Sequence, residues 1–321
     1  MMNFIQQGFK GRNEWWRYVL TISLIFIGVQ FAAIPLSIAA FIELDYNWVD
    51  FLSGAEESFM SIGMDNNLYL FLMIFTFIAA ICVLYLCVKY LHQKHFLDII
   101  TSRKKLDWSR VFFAFLLWGI ISAIIIIIQI TSSPEDYIWN FKPIPFLILL
   151  LVSFLFLPFQ TSAEELVFRG YLMQGFGVLS GNRWFPLLIT SIIFGSLHFM
   201  NPEVEKMGYV TMIFYIGTGL LYGIATLMDN GLELSLGLHA SNNVIAAFLV
   251  TTDWMVFQTD ALYVDISEPS VGMEMLLPVL VLYPIVLLIF SKRYRWENWK
   301  NKLFGKVEDP KQFLKDPLDN N

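Results

Sequence analysis

Long apolar stretches separated by short polar segments dominate the hydrophobic pattern of this 321-residue chain. Each stretch is close to the ~20 residues that a helix needs to cross the hydrocarbon core of a membrane. Backbone groups in lipid must form hydrogen bonds within their own segment, so we expect helices. The pattern predicts eight membrane spans, at residues 18–42, 68–90, 111–130, 144–162, 184–200, 209–228, 234–250 and 275–290.

Composition supports the same fold class. Hydrophobic residues make up 57% of the chain and charged residues only 15%, with a mean hydropathy of +0.60. Soluble domains contain roughly 25% charged residues. We therefore expect an all-α polytopic membrane protein, with about eight transmembrane helices around an intramembrane polar site. The chain has no sustained basic face, which argues against a nucleic-acid partner.

The distribution of basic residues predicts the orientation. With the N-terminus inside, only Lys142 and Lys206 of the 21 Lys and Arg residues fall on the outer side. Cytoplasmic loops carry this excess of positive charge, so we expect both termini in the cytoplasm, of a plasma or inner membrane if the cell is bacterial. The predicted division is a cytoplasmic segment 1–17, a membrane domain 18–291 and a basic cytoplasmic tail 292–321.

Three fragments in the second half of the chain carry polar residues in or against these apolar runs. A charge at the centre of a membrane helix costs at least ~2.5–3.5 kcal/mol, so such residues indicate function. The fragments contain Glu164, Glu165 and Arg169, then Phe194 and His198, then His239 and Asn243.

The positions of these fragments predict that they meet. The pattern after Pro158 stays helical until a turn at residues 181–183, and Glu164 and His198 lie equally far from Gly181 along the chain. In an antiparallel hairpin they reach the same height. His239 lies ~10 Å from the start of its own helix, by a rise of 1.5 Å per residue. We therefore expect one site inside the bilayer, nearer the cytoplasmic face.

Spacing within the fragments assigns directions to the side chains. Glu165 and Arg169 are i,i+4 and can pair on one helix face, as can His239 and Asn243. Glu164 then points about 100° away from Glu165 and faces the site. Phe194, one turn before His198, is placed to form a wall of the pocket, whereas Ser241 points away from it.

Other interpretations of these residues stay open. The Glu–Arg pair or the His–Asn pair alone is also typical of structural contacts between membrane helices. A transporter that uses Glu164 and His198 as a proton relay is a further possibility, although the chain shows no inverted repeat. Elsewhere, we expect His92 and His95 to be solvated and the motif at residues 219–223 to serve helix packing.

The ordered motifs Glu-Glu-x-x-x-Arg, Phe-x-x-x-His and His-x-x-x-Asn resemble the CPBP intramembrane proteases. That family includes the type II CaaX prenyl endopeptidases (the Ras-converting enzymes) and the bacterial Abi, or bacteriocin-processing, proteins. The resemblance is strong over residues 161–248 and implies a protease core at 144–250. It implies a glutamate-dependent endopeptidase with membrane-associated or lipidated peptide substrates, surrounded by membrane lipids. A non-catalytic immunity or scaffold protein of Abi type is the alternative.

The resemblance also implies roles for individual residues. Glu164 is the general base, His198 holds and activates the water, and His239 and Asn243 stabilise the oxyanion, with Glu165, Arg169 and Phe194 as supporting residues. Two histidines and a carboxylate, here Glu164, His198 and His239, can also ligate zinc with water as the fourth ligand. A metal-free mechanism is equally compatible with the motifs, and we favour it because Asn243 is a poor zinc ligand.

Overall fold

Helices dominate the computed structural model, which describes residues 2–256, 258–269 and 272–310. The part of the predicted tail from residue 311 onward lies outside the described residues. In chain order the α-helices are α1 (Trp15–Ala32), α2 (Ile34–Glu43), α3 (Trp48–Glu56), α4 (Asn66–Leu86), α5 (Trp108–Ser132), α6 (Pro143–Leu155), α7 (Leu157–Glu165), α8 (Met173–Ser180), α9 (Trp184–Ser196), α10 (Pro202–Met207), α11 (Thr211–Asp229), α12 (Glu233–Leu249), α13 (Met273–Leu277), α14 (Tyr283–Tyr294) and α15 (Trp299–Phe304).

Wider and tighter helical turns extend or join several of these helices. A π-helical turn at Cys87–Leu91 prolongs α4, one at Leu166–Leu172 joins α7 to α8, and one at Pro278–Leu282 joins α13 to α14. Short 3₁₀ helices occupy Ile5–Phe9, Phe96–Ile99 and Pro134–Asp136.

Within the described residues, six helical stretches are long and apolar enough to cross a membrane, which confirms a polytopic, mainly α-helical membrane protein. They are Trp15–Glu43, Asn66–Leu91, Trp108–Ser132, Pro143–Ser180, Thr211–Asp229 and Met275–Tyr294. The predicted count of eight is not confirmed, because α9 has 13 residues and α12 has 17. Both are shorter than the ~20 residues of a full span.

A small three-stranded sheet was not expected from the sequence. Its strands are β1 (Tyr137–Trp139), β2 (Val250–Thr251) and β3 (Tyr263–Asp265), in the order β1-β3-β2. β3 pairs antiparallel with β1 and parallel with β2. Strands of two or three residues are too short to show an alternating pattern, and their pairing depends on segments far apart in the chain.

The loops and termini gather on two opposite faces. On one, which we call the basic face, the tail returns to the turn after α8 (Val307 N to Gly181 O, 2.8 Å), and the loop after α4 meets the turn after α11 (Leu232 N to Ile100 O, 2.8 Å). On the other, which we call the opposite face, Asn140 N donates to Leu262 O at 2.8 Å. Both termini of the described chain therefore lie on the basic face.

The basic face is more ordered than the sequence predicted. His92 is only 2% exposed, with Nδ1 2.7 Å from the carbonyl of Arg12 and Nε2 2.7 Å from the hydroxyl of Tyr171. The expectation that His92 is solvated is wrong, because the N-terminal segment folds over the loop that contains it. His95 is exposed, as expected.

The packing motif predicted at residues 219–223 is confirmed. A Cβ atom at Gly219 would lie 3.0 Å from the Cα atom of Ser191 in α9, and one at Gly223 would lie 2.5 Å from the side chain of Leu187. The absence of side chains at both glycines lets α11 approach α9 closely. Together with α7 and α12, these two helices hold the candidate site.

Candidate active site

The adjacent residues Glu164 and Glu165 enter different environments where α7 passes into the π-helical turn. The Glu165 side chain is fully buried and accepts a hydrogen bond from Arg169 Nη1 at 3.0 Å, which confirms the predicted pair. The Glu164 side chain is 13% exposed and lines a cavity. The Arg169 guanidinium also lies over the rings of Phe194 (4.1 Å) and Tyr222 (5.4 Å). These cation–π contacts stabilise the positive charge of a fully buried side chain.

His239 of α12 lies between the two glutamates. Its Nδ1 is 2.9 Å from Glu165 Oε1, and its Nε2 is 3.7 Å from Glu164 Oε2. Because an ionised carboxylate only accepts hydrogen bonds, Nδ1 donates to Glu165. The Nε2 atom therefore faces Glu164 and the cavity. Tyr222 stacks on the imidazole with ring centroids 4.8 Å apart, which fixes the plane of the ring.

Gln160 connects the predicted base to the predicted oxyanion ligand. Its Nε2 donates to Glu164 Oε1 at 2.6 Å, and its Oε1 accepts from Asn243 Nδ2 at 2.9 Å. Asn243 also accepts a hydrogen bond from Asn242 at 3.2 Å. The sequence analysis missed Gln160, although it lies four residues before Glu164 and thus on the same helix face.

His198 lies beyond the end of its helix. The predicted span 184–200 is wrong at this end, because α9 stops at Ser196 and His198 sits on the turn that follows. The Asn201–Pro202 bond contributes, since a proline disfavours the helical conformation of the residue before it. His198 Nδ1 is 2.9 Å from the Phe194 carbonyl, which only accepts, so Nδ1 donates. In the neutral imidazole, Nε2 is then an acceptor.

A buried carboxylate beyond His198 was also missed. Glu203 is 3% exposed and accepts hydrogen bonds from the Tyr215 hydroxyl, from Asn201 Nδ2 at 3.0 Å and from the Val256 amide at 3.3 Å. Tyr215 in turn stacks on the His198 imidazole, with centroids 4.3 Å apart and planes 21° apart. Glu203 belongs to a polar segment outside the apolar runs, so the sequence did not mark it as unusual.

One cavity of about 480 Å³ brings most of the predicted residues together. This volume falls in the ~300–1,000 Å³ range of small-molecule binding sites. Its walls include Glu164, Phe194, His198, His239 and Asn243, while Glu165 and Arg169 lie behind them. Apolar side chains of α1 and α4 form the facing wall, namely Ile25, Val29, Met73, Phe77 and Ala80.

The cavity leads away from the basic face. Its lining includes Asn201, Glu203, Met255 and Val256, which belong to segments of the opposite face. The sequence was interpreted as a site nearer the face that holds both termini. The walls show that the cavity extends from the site toward the opposite face. The cavity extends this way because α9 is shorter than a full membrane span, and the turn that follows it forms part of the wall.

The arrangement does not fit the zinc site that the motifs allow. Within the described ranges, no group of three or more His, Cys, Asp or Glu side chains is placed to hold a metal ion. A catalytic zinc needs three protein ligands around a single point, which Glu164, His198 and His239 do not provide here.

Comparisons with known proteins cover the segment that contains the three motifs. A family model described as type II CAAX prenyl endopeptidase Rce1-like matches residues 143–245, which include all three motifs. A protein named uncharacterized protein YyaK, from Bacillus subtilis (strain 168), is 31% identical over 251 residues, covering 78% of this chain and 83% of that protein. No solved structure gave a significant match.

Proposed function

Because the chain belongs to the Rce1-like family of type II CAAX prenyl endopeptidases, we propose that it is an intramembrane endopeptidase with Glu164 as its general base. The observation that carries the proposal is the contrast between two adjacent carboxylates. Glu165 is neutralised by Arg169 in the protein interior, whereas Glu164 faces a cavity and the Nε2 atom of His239.

In the first step, a water molecule attacks the carbonyl carbon of the scissile peptide bond and gives a proton to Glu164. Glu164 Oε2 and the acceptor nitrogen of His198 both line the cavity and orient that water. A positioned base of this kind accelerates a reaction by roughly 10²–10⁴-fold.

The carbonyl oxygen becomes negatively charged in the tetrahedral intermediate. Asn243 has two amide hydrogens, one of which is used by Gln160, so the second is free for the oxyanion. A His239 ring that carries a proton on both nitrogens donates from Nε2 to the oxyanion, while its Nδ1–H is held by Glu165. An oxyanion donor in a water-poor site contributes about 2.7–4 kcal/mol to transition-state stabilisation.

Collapse of the intermediate breaks the carbon–nitrogen bond. Glu164 returns its proton to the leaving amine, so the base of the first step is the acid of the last. The immediate products are a carboxylic acid and an amine, which become a carboxylate and an ammonium group by proton exchange, and the enzyme regains its starting protonation state. The proposed substrates are membrane-associated or lipidated peptides, because an apolar wall from α1 and α4 faces the polar residues.

We propose a metal-free reaction. The donor arrangement fits hydrogen bonding among Glu164, His239 and Glu165 better than ligation. Cleavage should therefore be unchanged after dialysis against a metal chelator. Loss of activity that zinc alone restores would contradict this part of the proposal.

The direct test uses purified protein in detergent and a set of membrane-inserted and lipidated peptides. We expect cleavage by the wild type and loss of cleavage in Glu164→Gln and in His198→Ala. The exposed residue Glu57 supplies a matched control, since Glu57→Gln removes a carboxylate that does not line the cavity. Full cleavage by Glu164→Gln would show that the residue is not the base.

A further inference from the structure

The exposed positions of the cavity lining lie at one end of it. Leu197 is 64% exposed and Met255 is 38% exposed, and Ala246 is also exposed. These residues follow α9, follow β2 and occupy the last turns of α12, so all three lie toward the opposite face. The mouth of the cavity is therefore at this end.

The end toward the basic face is closed by packed side chains. Ile99, Leu166 and Leu232 are at most 5% exposed and belong to one apolar cluster. Gly170 lies against this layer so closely that a Cβ atom there would be 2.7 Å from the carbonyl oxygen of Ile99. This contact is with backbone, so a side-chain rotation does not open a path.

An ion-pair cluster lies under this layer at the basic face. Arg103 pairs with Asp229 at 2.8 Å and with Glu233 at 3.0 Å, and it also donates to the backbone carbonyl of Asp229. The cluster ties the loop after α4 to the start of α12. It keeps the elements that close this end of the cavity together.

The same two faces differ in charge. Among the described loops of the opposite face, Lys142 and Lys206 are the basic residues. The other described Lys and Arg residues, apart from the fully buried Arg169, belong to the basic face or its helix ends. An excess of Lys and Arg marks the cytoplasmic side of a membrane protein, and acidic residues contribute little to that choice. The mouth of the cavity thus belongs to the non-cytoplasmic side.

We infer that the site takes its substrates from the non-cytoplasmic side of the membrane. The substrate class is a membrane-anchored peptide whose cleavable segment emerges on that side, enters between Leu197 and Met255, and reaches Glu164 along the apolar wall of α1 and α4. Tails of proteins anchored to the cytoplasmic leaflet do not reach Glu164 by this route. The inference rests on the proposed function only in calling the ligand a substrate. The direction of access follows from the cavity itself.

Cysteine accessibility tests the direction without an activity assay. The two native cysteines, Cys82 and Cys87, are first replaced by alanine. Single cysteines are then introduced as Met255→Cys at the mouth, Thr218→Cys inside the cavity and Lys105→Cys at the basic face, where the side chain is exposed. A small, charged, membrane-impermeant thiol reagent is applied to right-side-out and to inside-out vesicles.

We expect Met255→Cys and Thr218→Cys to react at least tenfold faster in right-side-out vesicles, and Lys105→Cys to show the reverse order. Prior modification of Met255→Cys with a bulky reagent should slow the reaction of a second cysteine at position 218. Reaction of Thr218→Cys from the cytoplasmic side, or from neither side, would overturn the inference. If that variant fails to fold, Ala163→Cys, at a buried position of the same lining, gives the same comparison.

A cleavage experiment distinguishes failure of this inference from failure of the proposed function. Lipidated peptides are added to one side of sealed vesicles that contain the protein in a single orientation. Cleavage only from the non-cytoplasmic side is expected. Cleavage from the cytoplasmic side alone would overturn the direction but keep the endopeptidase, whereas outward accessibility of Thr218→Cys without any cleavage would count against the endopeptidase alone.

Discussion

At the scale of single residues, the site depends on two neighbouring glutamates in unlike surroundings. Glu165 has no exposed side-chain surface and contacts Arg169 and His239, whereas Glu164 contacts Gln160 and the cavity. Helical spacing predicted this division, because residues one position apart point about 100° apart. It did not predict Gln160, since an uncharged amide in a helix is not unusual by itself.

Replacing Asn243 by alanine should lower kcat by about 10²–10³-fold with little change in KM. The physical reason is that Asn243→Ala removes a donor that acts on the oxyanion and leaves substrate binding largely intact. Steady-state kinetics on a cleaved peptide measure both constants.

Ser241 offers a matched control in the same helix. It is fully buried, it lies outside the cavity lining, and a Cβ atom at Gly119 would lie 2.8 Å from its hydroxyl oxygen. Ser241→Ala should therefore keep wild-type kinetics. A large loss in this variant, with little loss in Asn243→Ala, would point to a serine nucleophile instead of a glutamate base.

At the scale of elements, the sequence predicted where helices occur better than where they end. Apolar runs identify α1, α4, α5, α11 and the stretch from α13 to α14, because each belongs to a helical stretch that is long and apolar enough to cross a membrane. The end of α9 and the π-helical turn at Leu166–Leu172 were not predicted. Both depend on tertiary packing around Arg169 and His198, and π turns of this kind are frequent at functional sites.

Because α9 and α11 approach closely at Gly219, a larger side chain at this position should disturb their packing. Gly219→Val should destabilise the protein by ~1–3 kcal/mol, because its side chain must displace the backbone of Ser191. Thermal unfolding in detergent measures the change. Ile213→Val, at an exposed position of the same helix, is the control and should unfold like the wild type.

The N-terminal segment covers the loop that contains His92 and buries its imidazole, so we expect the stability of the protein to depend on pH. Burial lowers the pKa of His92 below its usual value near ~6.5. The unfolded chain then takes up a proton at a higher pH than the folded protein does. His92 therefore lowers the free energy of unfolding as pH falls from ~6.5 toward the lowered pKa.

The matched pair His92→Gln and His95→Gln isolates this contribution. Thermal midpoints between about pH 5 and pH 8 should depend less on pH in His92→Gln than in the wild type. His95 is exposed, so His95→Gln should leave the wild-type dependence unchanged. An unaltered pH dependence in His92→Gln would show that the buried imidazole does not contribute it.

At the scale of the whole molecule, two faces and one cavity organise the protein. The sequence predicted an α-helical membrane protein and the meeting of three fragments. It could not predict the direction of the cavity, because the mouth is formed by segments such as Met255 that carry no distinguishing pattern. Nor could it predict the return of Val307 to Gly181, which joins residues far apart in the chain.

The central claim is that Glu164 performs chemistry and Glu165 holds the structure. One paired measurement, of cleavage rate and thermal unfolding in Glu164→Gln and Glu165→Gln, tests it most directly. We predict that Glu164→Gln loses roughly 10²–10⁴-fold in kcat and unfolds like the wild type. Glu165→Gln should lose about 3–5 kcal/mol of stability, because it leaves Arg169 buried without its partner. Wild-type cleavage by Glu164→Gln, or equal loss of stability in both variants, would contradict the claim.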